Sequence, residues 1–164
     1  MRETVIFAML GAVMFVGDIA FEWAENIHPV TMLLVTYTAV YRKKGIIPFW
    51  IYFTLQAIFF GGLWLVPYAY IFPLVWLCAL LVPENLDKAK KQVFYTLICT
   101  FFGIAFGTLY APWHVLVFMK STSLTKMLAW IASGFPADIL HACGNFAASF
   151  LILPLARLIK KMNK

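Results

Sequence analysis

The chain has 164 residues, of which 63% are hydrophobic and 12% are charged, with a mean hydropathy of +0.87 and a formal net charge of +6. A soluble domain of this size needs more polar residues to cover its surface, so the composition excludes an ordinary soluble protein and predicts a chain that meets lipid. The apolar stretches lack the alternation of apolar and polar residues that marks membrane strands, which indicates helices.

Polar breaks divide the chain into six apolar segments, and each is predicted to be a membrane-spanning helix. The predicted helices cover residues 4–22, 28–41, 46–63, 68–82, 92–110 and 136–158. The first is interpreted as a span because no small-residue cleavage site follows it. Pro136 begins the last helix in this prediction, since proline is favoured in a first helical turn. The segment 111–135 is left open between a break, a loop and a short helix over 127–133.

The basic residues are distributed unevenly among the predicted loops. Eleven of the 13 lysines and arginines, including Lys164, fall on the side of the first residue, and only Lys120 and Lys126 fall on the other. Because cytoplasmic loops are enriched in positive charge, this predicts a six-helix all-α bundle over residues 1–164 with both termini in the cytoplasm. The net charge is explained by this topology in a cell membrane, so no nucleic-acid partner is expected.

The sequence carries few signs of catalysis. It contains no P-loop, no GxSxG and no HExxH motif, so we expect neither an enzyme nor an ATPase, and no cofactor. Cys78, Cys99 and Cys143 lie within apolar stretches without metal-ligand spacing and predict helix packing. The three histidines leave a metal site and a membrane-embedded hydrolase as alternatives, but we expect no metal.

Ionisable and amide side chains inside the predicted helices form two clusters in the outer half of the membrane. They comprise Asp18, Glu22, Glu25 and His28 around the end of the first helix, and Asp138, His141 and Asn145 on one face of the last. Such residues are costly in lipid and mark either a binding site or a hydrogen-bond network between helices. We predict that the two clusters line one outward-facing pocket.

Aromatic residues concentrate at the same predicted ends. They are Trp23, Trp64, Tyr68, Tyr70, Trp113 and Trp130. An interfacial belt explains residues of this kind, and the walls of a ligand pocket are the alternative. The second interpretation is favoured for Trp23, Trp64 and Tyr68, which lie nearest to the acidic cluster.

Small residues recur at helical spacing in two of the predicted helices. Ala8 and Ala12 flank Gly11 in the inner half of the first, and Gly103 and Gly107 repeat the spacing in the fifth. Small residues four apart allow helix backbones to approach closely. Both patterns therefore predict packing faces.

Two of these segments are similar to motifs of a known family. Ala8-Met9-Leu10-Gly11-Ala12 is similar to its AxxxA motif, and residues 134–146 (GFPADILHACGNF) are similar to the opening of its last helix. The chain thus resembles the substrate-binding S-components of energy-coupling factor (ECF) transporters of the bacterial cell membrane. The resemblance implies a multi-pass subunit that binds a small nutrient from outside and associates with a transmembrane coupling protein and two cytoplasmic ATPases. It assigns Ala8, Gly11 and Ala12 to the coupling-protein interface.

The chemistry of the predicted pocket narrows the nutrient. Three carboxylates and no outer arginine favour a small, neutral or cationic heteroaromatic compound, such as a B6 vitamer, thiamine or its pyrimidine precursor, over a dianion. The predicted substrate-binding residues are Asp18, Glu22, Trp23, His28, Trp64, Tyr68, Asp138, His141 and Asn145. A structural or accessory membrane protein without a ligand, and a membrane-embedded enzyme, are the alternative functions.

Overall fold

The computed structural model describes residues 2–24 and 27–162, so Glu25 and Lys164 lie outside the described residues. Within these ranges the chain forms seven α-helices and no strand. The helices are α1 (Arg2–Ala20), α2 (Val30–Tyr41), α3 (Ile47–Phe59), α4 (Tyr68–Leu81), α5 (Lys88–Val117), α6 (Leu124–Ser149) and α7 (Ile152–Met162). Because α6 and α7 form one helix bent by 46°, the described chain has six helical segments. The prediction of an all-α chain is confirmed.

Several of these segments have the length and hydropathy of membrane spans. Among the described residues, Glu3–Ala20, Leu63–Leu81 and Lys88–Val117 qualify singly, and the bent pair of α6 and α7 qualifies as a fourth. In contrast, α2 and α3 have 12 and 13 residues. At 1.5 Å per residue each is about 20 Å long, which is shorter than a hydrocarbon core of about 30 Å.

Successive segments run in alternating directions between two ends of the bundle. Lys44, just after α2, pairs with Glu3 at the start of α1, with Nζ and Oε1 2.7 Å apart. Arg42 at the same end donates to the carbonyl oxygen of Leu80, near the end of α4, at 2.6 Å. We call this the basic end. The opposite end, where Asp18 lies near the end of α1 and His28 lies in the α1–α2 connection, is the cavity end.

The short helix α2 forms the centre of the bundle. All residues from Val30 to Thr38 are buried. The hydroxyls of Thr36 and Thr38 donate to the carbonyl oxygens of Met32 and Leu34, one turn earlier, at 2.8 and 2.7 Å. Their polar groups are thereby satisfied within the helix, so α2 tolerates burial on every side.

The longest helices, α5 and α6, pack closely along their length. A Cβ atom added at Gly103 would lie 2.6 Å from the Cα of Ala142, and one added at Gly107 would meet the carboxylate of Asp138. Gly103 and Gly107 therefore lie in the interface between α5 and α6, as their spacing predicts. At the basic end, Asp87 caps α5 by accepting the backbone N–H of Lys90 at 2.9 Å. This hydrogen bond holds the pKa of Asp87 below its usual range.

The predicted boundaries of the last two long helices are wrong. The helix predicted over 92–110 runs from Lys88 to Val117, and the helix predicted to begin at Pro136 begins at Leu124. Both Pro112 and Pro136 lie inside these helices. A proline removes one backbone N–H but does not end a helix whose neighbours supply compensating contacts in a membrane. The predicted continuous helix over 136–158 is also interrupted, between Ser149 and Ile152.

Two glycines determine where α3 ends at the cavity end of the bundle. The N–H of Gly61 reaches back five residues to the carbonyl oxygen of Gln56 at 3.1 Å. Gly61 and Gly62 have φ angles of +42° and +121°, which side chains with a Cβ rarely adopt. The predicted third helix, 46–63, therefore ends at Phe59, and the chain turns over the cavity end.

Candidate functional site

The carboxylate of Asp18 is the centre of the polar residues at the cavity end. Its Oδ1 lies 2.9 Å from Nδ1 of His28. Its Oδ2 accepts hydrogen bonds from the hydroxyl of Tyr52 at 2.8 Å and from Nε2 of Gln56 at 2.7 Å. Three donors from two other parts of the chain thus converge on one carboxylate, which holds it in a fixed orientation.

Local sequence explains how these donors meet Asp18. Tyr52 and Gln56 are four residues apart on α3, so they lie on one face of the helix. The helix α3 packs closely against α1, where a Cβ added at Gly11 would lie 2.7 Å from the Cβ of Ile51. His28 follows the end of α1 by a short connection, whose Pro29 side chain would lie 3.3 Å from a Cβ added at Gly17. Small residues on α1 therefore allow both neighbours to reach Asp18.

Two adjoining cavities open around this carboxylate. The larger has a volume of about 330 Å³ and is lined by Asp18, Ile19, Glu22, His28, Gln56, Phe60, Trp64 and Tyr68. The smaller has a volume of about 110 Å³ and is lined by Asp18, His28, Val30, Thr31, Tyr52, Tyr68, Phe72, Phe106 and His141. Because Asp18, His28 and Tyr68 line both, the two cavities form one site with an outer and an inner part.

Aromatic rings line both cavities, and Tyr68 is shared by the two. The ring centroid of Tyr68 lies 5.7 Å from that of Trp64, 5.2 Å from that of Phe72 and 5.9 Å from that of Phe106. Phe106 in turn lies 5.2 Å from the ring of His141. Rings at these distances pack against one another by edge contacts, and aromatic side chains that line a cavity can bind a flat ring system in the same way. The site therefore combines a fixed carboxylate with aromatic walls.

The turn over the larger cavity is tied to α5 by aromatic donors. The hydroxyl of Tyr110 donates to the carbonyl oxygen of Trp64 at 2.9 Å, and Nε1 of Trp113 donates to the carbonyl oxygen of Leu63 at 2.7 Å. Trp64 also donates from its ring nitrogen to the Gly61 carbonyl oxygen at 2.8 Å. These bonds fix the part of the chain that carries Phe60 and Trp64 over the site.

Charge is segregated along the bundle. The side chains that line the two cavities include the carboxylates of Asp18 and Glu22 and the imidazoles of His28 and His141, and no lysine or arginine. Within the described residues, no three His, Cys, Asp or Glu side chains are grouped closely enough to hold a metal ion. The site is therefore suited to neutral or cationic organic groups.

The structure brings together six of the nine residues predicted to bind substrate. Asp18, Glu22, His28, Trp64 and Tyr68 line the larger cavity, and His141 lines the smaller one. Trp23 is 82% exposed and lies outside both cavities.

Asp138 and Asn145 are buried but face α5 instead of the two cavities. Asp138 accepts the backbone N–H of Gly107 at 3.0 Å, and Nδ2 of Asn145 lies beside Gly103. In the described part of the chain, Oδ2 of Asp138 and both polar side-chain atoms of Asn145 have no hydrogen-bond partner. These two residues therefore lie in the interface between α5 and α6 and not at the two cavities.

Several site residues escaped the sequence analysis. They are Ile19, Val30, Thr31, Tyr52, Gln56, Phe60, Phe72 and Phe106. Gln56 carried a usable signal, because an amide within an apolar helix marks a site or an internal pairing by the same rule that selected Asp18. Tyr52 lies one turn before Gln56 and could have been found with it. The apolar residues carried no signal that distinguishes them from core.

The residues predicted to contact a partner do not share one surface. Ala8 and Ala12 are exposed on α1. Gly11 is buried, and a Cβ atom at this position would lie 2.9 Å from the carbonyl oxygen of Pro48. Gly11 therefore packs α1 against α3, and only the two alanines remain available to another protein.

Comparison of the chain with known protein families, with curated proteins and with solved structures finds no significant match.

Proposed function

We propose that this chain is the substrate-binding subunit of an ECF-type importer and that it binds a small heteroaromatic nutrient from outside the cell. The observation that carries the proposal is the site around Asp18, where a carboxylate held by three donors borders two cavities with aromatic walls. Sites for small molecules are concave, largely apolar and furnished with a few fixed polar groups. A purely structural membrane protein has no need of such a site.

The proposal includes six membrane crossings with both termini in the cytoplasm. Alternating helix directions place the α2–α3 and α4–α5 connections, rich in lysine and arginine, at the end opposite the site. Positive charge favours the cytoplasmic side, so the site faces outward. The short helix α2 is enclosed by other helices, and its ends need not reach the lipid headgroups on both sides.

The proposed partners are a transmembrane coupling protein and two cytoplasmic ATPases, since the chain has no nucleotide-binding motif of its own. Support for the coupling-protein contact comes from Ala8 and Ala12, which leave a shallow exposed face on α1. Small side chains let a second helix approach the backbone closely within the membrane. In the proposed assembly the coupling protein contacts this face, as the resemblance to S-components implies.

Identification of the bound molecule tests the proposal. The protein is expressed in bacteria grown in rich medium, purified in detergent and heated, and the released small molecules are identified by mass spectrometry. The matched control is Asp18→Ala with a melting temperature measured in parallel. One nitrogen-containing aromatic compound enriched in the wild-type sample supports the proposal. A wild-type sample indistinguishable from a folded Asp18→Ala control overturns it and leaves the structural alternative.

A further inference from the structure

The smaller cavity contains polar side chains that the fold leaves without partners. Thr31 and His141 are 4% and 7% exposed, and both line this cavity. Among the described residues, no hydrogen bond joins the hydroxyl of Thr31 or the ring nitrogens of His141 to another protein group, yet neither residue is among those with fully enclosed, unpaired polar atoms. Their polar atoms are therefore reached from the cavity, where a ligand can pair with them.

The contrast with other threonines of α2 strengthens this point. Thr36 and Thr38 donate to carbonyl oxygens four residues earlier. The equivalent partner for Thr31 would be the carbonyl of Ile27, which precedes the helix. Thr31 stands in the first turn, so its hydroxyl is not used by the helix and is free to face the cavity.

The sizes of the two cavities assign different parts of a ligand to each. An engineered apolar cavity of about 150 Å³ holds one benzene ring. The larger cavity, at about 330 Å³, accommodates a substituted ring beside Trp64 and Tyr68. The smaller, at about 110 Å³, is too small for the ring and fits a short substituent.

The charges around the site restrict that substituent. Asp18 lines both cavities and Glu22 lines the larger, without a lysine or arginine to offset them. A phosphate ester would bring about two negative charges beside these carboxylates, where charge repulsion and the cost of burying the charges both oppose binding. A hydroxyl carries no charge, and a protonated amine is attracted by the carboxylates instead of repelled.

We infer that the smaller cavity is a subsite for a hydroxymethyl or aminomethyl substituent, which Thr31 and His141 bind by hydrogen bonds, and that the site selects the unphosphorylated form of its nutrient. This inference rests on the proposed function. Thr31 and His141 are specificity-determining residues, while the ring is held in the larger cavity by the aromatic wall and Asp18.

Matched probes test the selection. The purified protein is titrated with the hydroxymethylpyrimidine precursor of thiamine, with its phosphate ester and with the methyl analogue that lacks the hydroxyl, and pyridoxine with pyridoxine phosphate forms a second set. In the set that binds, the alcohol is expected to bind at least about 100-fold more tightly than the ester and about 10-fold more tightly than the methyl analogue, the latter corresponding to about 1.4 kcal/mol. An ester that binds as tightly as the alcohol overturns the selection.

Variants test the assigned residues. Thr31→Val should weaken binding of the alcohol about 10-fold and leave binding of the methyl analogue unchanged. Thr31→Ser keeps the hydroxyl and should bind the alcohol as tightly as the wild type. His141→Phe should show the same pattern of binding as Thr31→Val. Thr36→Val is the control, because its hydroxyl is used within α2. If Thr31→Val weakens the alcohol and the analogue equally, the subsite is refuted while the proposed function stands. If no probe of either set binds, the ligand class in the proposed function fails and the subsite fails with it.

Discussion

Gly107 on α5 donates its backbone N–H to the carboxylate of Asp138 on α6 at 3.0 Å. The absence of a side chain at Gly107 makes this bond possible, because a Cβ atom there would collide with the carboxylate. An acidic residue in the predicted last span thus contacts a neighbouring helix backbone. Its position depends on the same small residues that allow α5 and α6 to pack closely.

Gly103→Ala is expected to destabilise the protein by about 1–3 kcal/mol, as overpacking of a close interface does. The added methyl would lie 2.6 Å from the Cα of Ala142, and a backbone atom cannot turn aside as a flexible side chain can. Thermal unfolding in detergent measures the effect. Gly134→Ala is the control, since no atom lies within 4 Å of a Cβ added there. Equal melting temperatures for the two variants would contradict the described packing.

Asp18→Asn and Asp138→Asn are expected to differ in ligand binding. Asp18 lines both cavities, and loss of its charge should weaken binding of a cationic ligand by about 10- to 150-fold, corresponding to about 1.5–3 kcal/mol for a charged hydrogen bond. Asp138→Asn should leave affinity nearly unchanged, because its carboxylate faces α5. Titration of both variants with the identified nutrient makes the comparison. A similar loss of affinity in both variants would show that Asp138 also contacts the ligand.

Tyr110→Phe is expected to increase the dissociation rate of the ligand about 5-fold. The change removes the hydrogen bond to the Trp64 carbonyl oxygen, which contributes about 1 kcal/mol, and loosens the turn over the larger cavity. Stopped-flow measurement of ligand release tests this effect. Tyr70→Phe is the matched control, because it removes a bond of the same kind to Leu109 without touching that turn. If both variants release ligand at the wild-type rate, the turn does not limit dissociation.

Ala8→Trp and Ala12→Trp are expected to abolish nutrient uptake by cells while ligand affinity of the purified subunit stays within about 2-fold, a change of about 0.4 kcal/mol. Both residues are exposed on α1, and a bulky side chain would hold a partner helix away. Leu97→Trp, at a 60% exposed position of α5, controls for a bulky residue elsewhere on the surface. If Ala8→Trp and Ala12→Trp weaken ligand binding as strongly as they reduce uptake, the two alanines stabilise the subunit itself and do not serve as a contact with a partner.

A reporter fused at Asn85 or directly after Lys164 should be found in the cytoplasm, and a reporter fused at Thr122 should be found outside. The expectation follows from the eleven basic residues on one side against two on the other. Asn85 lies between α4 and α5, and Thr122 lies between α5 and α6. An external signal at Asn85 would reverse the bundle and direct the site toward the cytoplasm.

The helices were predictable where polar residues interrupt apolar runs, as for α2 and α4. The predicted start of the last helix at Pro136 was wrong. In soluble helices a proline is expected near the first turn, but a close-packed membrane helix tolerates the loss of one backbone N–H in its interior. The end of α3 depended on the positive φ angles of Gly61 and Gly62, and a Gly-Gly pair is a recognisable turn signal.

The candidate site was only partly predictable for a geometric reason. Asp138, His141 and Asn145 do lie on one face of α6, yet at 100° per residue His141 is about 60° around the helix from Asp138, while Asn145 is only about 20° away. This difference directs His141 toward the smaller cavity and the other two toward α5. Helical periodicity predicts which residues share a face, but it does not predict which neighbouring helix or cavity each edge of that face contacts.

The enclosure of α2 has a consequence for how the chain tolerates mutation. On α1, exposed positions such as Val5, Met9 and Val16 alternate with packed ones, so tolerance to apolar substitutions of a different size should rise and fall with each helical turn. Along Val30 to Thr38 every side chain is buried, and that rhythm disappears. A saturation-mutagenesis map would therefore show this segment as an unbroken block of intolerance, and its helical nature could not be read from the map itself.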